Sequence, residues 1–178
     1  MSVSRNKCLA ALFLGLFLPK MTFAATVYET QTEFLDRAFN QLPPDPGVAW
    51  ISGERKSAVR QLLGHDYPTL RVRFWCRDSR SAWILDEVGK DLPITVGVVV
   101  ENNFIESLRV LTYRENRGGE VATPAFTEQF NGSALDDDNT LNTHIDGITG
   151  ATLSVRALSR LAAMALFLQS DVGCSDGS

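Results

Sequence analysis

The sequence predicts an α+β fold, a single domain in which helices cover an antiparallel sheet. Three observations predict it. Segments with apolar residues at every third or fourth position bracket a central region in which apolar and polar residues alternate. The strands of that region follow one another closely, and the two strongest are joined by Asn102-Asn103, a dipeptide able to take the positive φ angles of a tight hairpin. The last long segment, from Leu153 to Gln169, is apolar on nearly every side, as suits a helix laid against a sheet. With 178 residues, 44% of them hydrophobic, the chain has enough apolar material for one core.

The first residues follow the grammar of a secretory signal peptide. Arg5 and Lys7 precede an uncharged run from Cys8 to Leu18, Pro19 and Lys20 interrupt it, and Thr22-Phe23-Ala24 supplies a small-x-small ending. The run is shorter than the roughly 20 residues of a membrane span, so cleavage is expected after Ala24, leaving a periplasmic protein that is not itself membrane-spanning. Cys8 stands at the start of the run, the wrong place for a lipid-modified cysteine. Processing removes Arg5, Lys7 and Lys20 from the 17 basic residues and none of the 21 acidic ones, so the net charge moves from −4 to about −7. So acidic a chain does not suit nucleic acid.

Beyond the leader, Phe34, Leu35, Ala38, Phe39 and Leu42 mark an amphipathic helix over Gln31–Leu42, stopped by Pro43-Pro44. A loop follows. Ser52 is placed to cap a second helix carrying Val59, Leu62 and Leu63, with Gly64 as its stop. The period then changes to two. Leu70, Val72, Phe74 and Cys76 alternate with Arg71, Arg73 and Trp75, Ala82 to Val88 forms another strand, and Ile94–Glu101 pairs with Phe104–Tyr113 as the hairpin. Trp75 and Trp83 are expected in the core. Gly118-Gly119 interrupts the pattern, Pro124 to Phe130 forms a short helical turn, and Asp136 to Asn139 a polar loop without the spacing of a calcium-binding loop. Cys76 and Cys174 remain after processing, and an oxidising compartment permits them to pair; the sequence leaves the paired and unpaired forms equally open. His65 and His144 are too far apart, and too poor in neighbouring ligands, to suggest a metal site.

The chemistry concentrates in Asp146 to Ser154, DGITGATLS, between the polar loop and the last helix. Gly147 and Gly150 allow unusual backbone angles and leave the main chain uncovered, and Ala151 adds almost no bulk. The Thr152 hydroxyl therefore stands beside exposed amides at a helix N-terminus, where unpaired N–H groups and the helix dipole favour a phosphate. The bland alternative is a glycine turn with Thr149 or Thr152 as an ordinary cap. A P-loop is ruled out by the missing lysine, and Ser154 lacks the setting of a nucleophile elbow.

The stretch Asp146-Gly147-Ile148-Thr149-Gly150-Ala151-Thr152 resembles the flavinylation motif of the FMN-binding domain family, which includes the peripheral flavin subunits of the sodium-translocating NADH:quinone reductase and of the Rnf complex. The resemblance covers roughly Asp91 to Gln169, taking in the hairpin, the Arg114–Glu120 turn, Phe126, Phe130 and Gly132. It implies that Thr152 carries FMN through a phosphoester, donated from FAD by a separate periplasmic flavin transferase that uses magnesium. Asp146, Gly147, Thr149, Gly150, Ala151, Ser154 and Glu115 are the further cofactor-binding residues it suggests. It departs at Glu115-Asn116-Arg117-Gly118, where better-known members have Glu-Thr-Pro-Gly, and it lacks the membrane anchor of the pump subunits. A threonine hydroxyl needs activation, which the transferase must supply, with Asp146 holding the loop or approaching the magnesium.

On this basis residues 25–89 form an N-terminal helical and strand extension, 90–170 the FMN-binding domain and 171–178 a C-terminal tail. The expected function is exported electron transfer by covalent FMN, the protein being a carrier or redox subunit that serves a membrane-bound or haem partner. Two alternatives stand beside it: a small flavin-dependent reductase acting directly on a quinone or other acceptor, and a non-redox anion-binding envelope protein.

Overall fold

The computed structural model describes residues 25–174; the expected signal peptide lies outside the described residues. Six strands form one antiparallel sheet: β1 (Thr26–Val27), β2 (Pro46–Trp50), β3 (Arg71–Arg77), β4 (Arg80–Val88), β5 (Pro93–Glu101) and β6 (Phe104–Tyr113). Their order is β1-β6-β5-β4-β3-β2. Helices α1 (Gln31–Ala38), α2 (Gly53–Leu63), α3 (Pro124–Thr127) and α4 (Thr152–Val172) complete an α+β domain. None of the described helices is long and apolar enough to cross a membrane.

Both faces of the sheet are covered, and the two faces of β5 show how. Val96, Val98 and Val100 face the larger core with Trp83, Leu85 and the α4 residues Leu158, Leu161 and Met164. Val99 faces the other way, into a smaller cluster made by α1 through Phe34, Leu35, Ala38 and Phe39 with Trp75 and Leu111. Gly97 lies under α1, where a Cβ would stand 2.6 Å from the Phe34 ring, so glycine lets that ring reach the strand backbone. Trp83, stacked on Phe74 with centroids 5.0 Å apart, is fully buried, and Trp75 is nearly so. Both belong to the core, as their strand positions predict.

The helices begin and end for local reasons. Thr30 and Glu33 form a reciprocal capping box at α1: the Glu33 N–H donates to Thr30 Oγ1 at 3.2 Å, and the Thr30 N–H donates to Glu33 Oε2 at 2.8 Å. This helix stops at Ala38, earlier than the expected Leu42, because Asn40 and Gln41 turn left-handed with φ of 53° and 65°. Ser52 does occupy the α2 cap position without a side-chain cap bond, and Gly64 ends the helix at φ 79°. The β5–β6 hairpin turns on Asn102 and Asn103 at φ 51° and 64°, as the dipeptide predicts.

Two strands are absent from the sequence expectations. β1 is only two residues long and pairs with Tyr113 and Thr112 of β6. β2 contains Pro46 and Gly47, which read as loop, yet it pairs with β3 along its whole length. Gly47 is required there, since a Cβ would lie 2.6 Å from the Phe74 ring that leans across from β3.

Cys76 and Cys174 form a disulfide with a Cα–Cα separation of 6.0 Å, across 98 residues of sequence. The alternative left open by the sequence is thereby closed. The bridge ties the chain just beyond α4 to β3, so the long helix is fastened at the end opposite the glycine-rich loop.

Candidate functional site

The N-terminus of α4 is the place where the sequence motif becomes geometry. The Ala151 N–H donates to the Ile148 carbonyl at 3.0 Å, closing a turn in which Gly150 takes φ 84°. That positive φ at the third turn position is the reason for a glycine there. Gly147 takes no such angle, and a Cβ on it would meet nothing within 4 Å. The strained angle of the loop therefore belongs to Gly150 alone of the two.

Ala151 is the α4 N-cap, and the cap makes no side-chain hydrogen bond. Thr149 and Thr152 are thus not used as ordinary caps. The first amides of a 21-residue helix are left to an external acceptor. No acidic residue occupies the first turn, so the helix itself sets no carboxylate at the positive end of its dipole.

Three hydroxyls lie in or near this loop, and burial separates them. Thr149 and Thr152 are exposed, whereas Ser154 is 4% exposed. The Tyr113 O–H donates to the Arg117 carbonyl, which uses its single hydrogen, so Ser154 Oγ donates to the Tyr113 oxygen at 3.0 Å. Ser154 is consumed in locking α4 to the end of β6. Burial, the main cause, pushes the Tyr113 phenol up from its ordinary value, although the Ser154 bond opposes it.

A cleft of about 380 Å³ opens beside Thr152. Gly150, Ala151, Thr152, Leu153 and Ser154 form one wall, and Lys90, Asp91, Glu115, Asn116 and Arg117 form the other. Its size is that of a small ligand pocket. The two walls meet through small residues: Gly118 has φ 85°, and a Cβ there would stand 2.9 Å from both Ala151 Cβ and Tyr113 Oη. The Arg114–Gly119 turn can approach α4 only because these positions are so bare.

Glu115 organises the opposite wall. Its Oε1 accepts the backbone N–H groups of Lys90, Asp91 and Leu92 at 2.6, 2.6 and 2.9 Å, gathering the β4–β5 turn onto the β6 exit. Burial favours the neutral acid, but the three amides and the Lys90 charge together outweigh it and lower the Glu115 pKa. With that carboxylate occupied, the remaining charges of the cleft are Lys90, loosely paired with Asp91 at 3.8 Å, and Arg117. Arg114 is turned away, donating to the Pro93 carbonyl and Thr95 Oγ1, both at 2.9 Å.

Of the residues singled out from sequence, Glu115, Gly150, Ala151, Thr152 and Ser154 converge on the cleft. Asp146, Gly147 and Thr149 do not line it and lie exposed in the loop that precedes α4. The Asp146 N–H donates to Gln129 Oε1 at 2.7 Å, while its carboxylate is 85% exposed and 3.7 Å from His144 Nε2. Lys90, Asp91, Leu153 and Tyr113 were not singled out. Leu153 comes with the motif as part of α4, whereas Lys90, Asp91 and Tyr113 carry no motif and reach the site only through pairing of β4, β5 and β6.

Residues 89–166 match the model of the FMN-binding domain family. This segment is an FMN-binding domain. The matched stretch starts at the β4–β5 turn and ends within α4, so it contains both walls of the cleft. No curated protein matches the chain. FMN as cofactor suits the donors present: free helix-start amides and two cations for a phosphate, and the partly exposed Leu92 and Leu153 for an apolar ring. The strands before residue 89 belong to the same sheet as the FMN-binding domain, β4 pairing with β5 along nine registered positions.

Proposed function

We propose that the chain is an exported electron-transfer flavoprotein holding FMN covalently through the Thr152 oxygen. The observation that carries the reading is the Thr152 hydroxyl itself, exposed at the uncapped start of α4 and on the wall of the cleft, while neighbouring Ser154 is buried and bonded. Export is supported by the leader pattern of residues 1–24 and by the Cys76–Cys174 disulfide, which belongs in an oxidising compartment.

Attachment balances as a phosphoryl transfer. A flavin transferase brings FAD with magnesium; the Thr152 oxygen bonds to the FMN phosphorus, the pyrophosphate link breaks, AMP departs and the hydroxyl proton goes to a base on the transferase. Among the described residues no side chain hydrogen-bonds the Thr152 hydroxyl, and the carboxylates of the cleft, Asp91 and Glu115, belong to its opposite wall, consistent with activation from outside. The exposure of the Asp146 carboxylate, on the loop before α4, supports a role for it in meeting the transferase and its hard cation.

Once attached, the flavin supplies one- and two-electron chemistry, and the protein supplies tether, orientation and charge. The free amides of Thr152, Leu153 and Ser154 hold the phosphodiester, Lys90 and Arg117 offset its charge, and the covalent bond keeps the cofactor from diffusing away. Donor and acceptor are separate proteins in this reading, a membrane-bound or haem partner among them. Production in cells with and without the flavin transferase tests it. In-gel flavin fluorescence is expected only with the transferase and is lost in Thr152→Ala; fluorescence persisting in that variant contradicts it.

A further inference from the structure

A second cleft, about 390 Å³, lies between α2, α4 and the loop over residues 138–145. Its α4 wall consists of Arg156, Ser159, Arg160, Ala163 and Phe167. Residues at that spacing share one face of a helix, and the same face extended one turn towards the N-terminus begins at Thr152. Along the helix axis the near edge of this cleft, at Arg156, is about 6 Å from the Thr152 position and its far edge, at Phe167, about 22 Å, at about 1.5 Å of rise per residue. This cleft shares no lining residue with the one beside Thr152.

The lining is apolar with cations set into it. Ala58 and Leu62 of α2 face Leu141 and Ile145 of the loop. Arg156 has no ion-pair partner among the described residues. Arg160 stands 3.8 Å from Glu87, a carboxylate already bonded to His65 at 2.8 Å, so its guanidinium is only loosely held. Asp138 and His144 complete the charged and titratable lining. In a chain of net charge −4, two arginines line the cleft against one aspartate, and with Glu87 offsetting Arg160 in part, Arg156 keeps the site locally positive.

We propose that this cleft binds a small planar organic anion, an aromatic or quinonoid acid. Its volume suits a small molecule, the apolar part of its walls suits a ring, and arginine both pairs an acid group through its planar fork and stacks on a ring face. The binding claim stands without the flavin. Only its meaning, a redox-active small molecule held beside the flavin attachment point, rests on the proposed function.

The test uses anthraquinone-2-sulfonate as probe and the chain produced without the flavin transferase, so failure of flavin attachment and failure of this site are distinguishable. Titration calorimetry is expected to show saturable one-site binding, with amide shifts in NMR spectra confined to the lining of this cleft: the 138–145 loop, Ala58 and Leu62 of α2, and α4 from Arg156 to Phe167. Replacing both Arg156→Gln and Arg160→Gln is expected to weaken binding by about tenfold or more, the worth of a charge-assisted hydrogen bond. Ala163→Trp, which fills the cleft, abolishes it, and the exposed Arg156→Gln alone serves should that larger change unfold the chain. Absence of saturation, equal binding by the arginine variants, or shifts at residues 150–154 instead would overturn the proposal.

Discussion

Glu115 and Gly118 carry more of the site's geometry than their positions in a turn suggest. Three amides on one carboxylate oxygen make Glu115 the pin between the β4–β5 turn and the β6 exit. Glu115→Ala is expected to lower stability by about 1–2 kcal/mol, towards the smaller figure because the turn meets solvent. The pH dependence has a definite sign. Because the folded-state pKa lies below its ordinary value of 4.5, the Glu115 contribution is present above that value and disappears as pH falls through the folded pKa. Urea unfolding of both proteins, from neutral to acid pH, should show their difference shrinking in acid; a difference that grows in acid refutes the role. For Gly118, alanine forces a Cβ to 2.9 Å from Ala151 and Tyr113 at a φ of 85°. Gly118→Ala should destabilise by at least about 1 kcal/mol in thermal melts and loosen the cleft. An unchanged melting temperature would show that the turn moves freely from α4.

Among the elements, α4 unites the molecule, since one end forms a wall of the cleft beside Thr152 and the other is followed by a disulfide to β3. Cys76→Ser with Cys174→Ser should cost about 2–4 kcal/mol, read from urea midpoints of the oxidised wild type and the double variant. Equal midpoints would remove the bridge from the account of how α4 is held. The sequence announced the elements with strong periodicity: β6 was legible to the residue, because Asn102-Asn103 and Gly118 punctuate it, and β5 nearly so. It hid β2, because Pro46 and Gly47 look like loop until Phe74 is known to need the space above Gly47. It also hid β1, a two-residue strand defined wholly by its partner. The motif wall of the cleft was visible in DGITGATLS. Of the other wall only Glu115 was, since Lys90 and Asp91 are ordinary surface residues until strand pairing brings them opposite Thr152.

At the scale of the whole molecule, one antiparallel sheet joins the FMN-binding domain of residues 89–166 to the strands before it, with helices on both faces. The sheet fixes the two hairpin turns, the disulfide and core fix α4, and Thr152 is left where those supports meet open solvent. The central claim is a covalent bond at that point. The most direct measurement is the intact mass of the denatured mature protein, taken from cells that contain the flavin transferase, for wild type and Thr152→Ala. The account predicts wild-type polypeptide heavier by FMN less one water, and the variant at the mass of its amino acids alone. Wild type without added mass, or the same addition on Thr152→Ala, would contradict it.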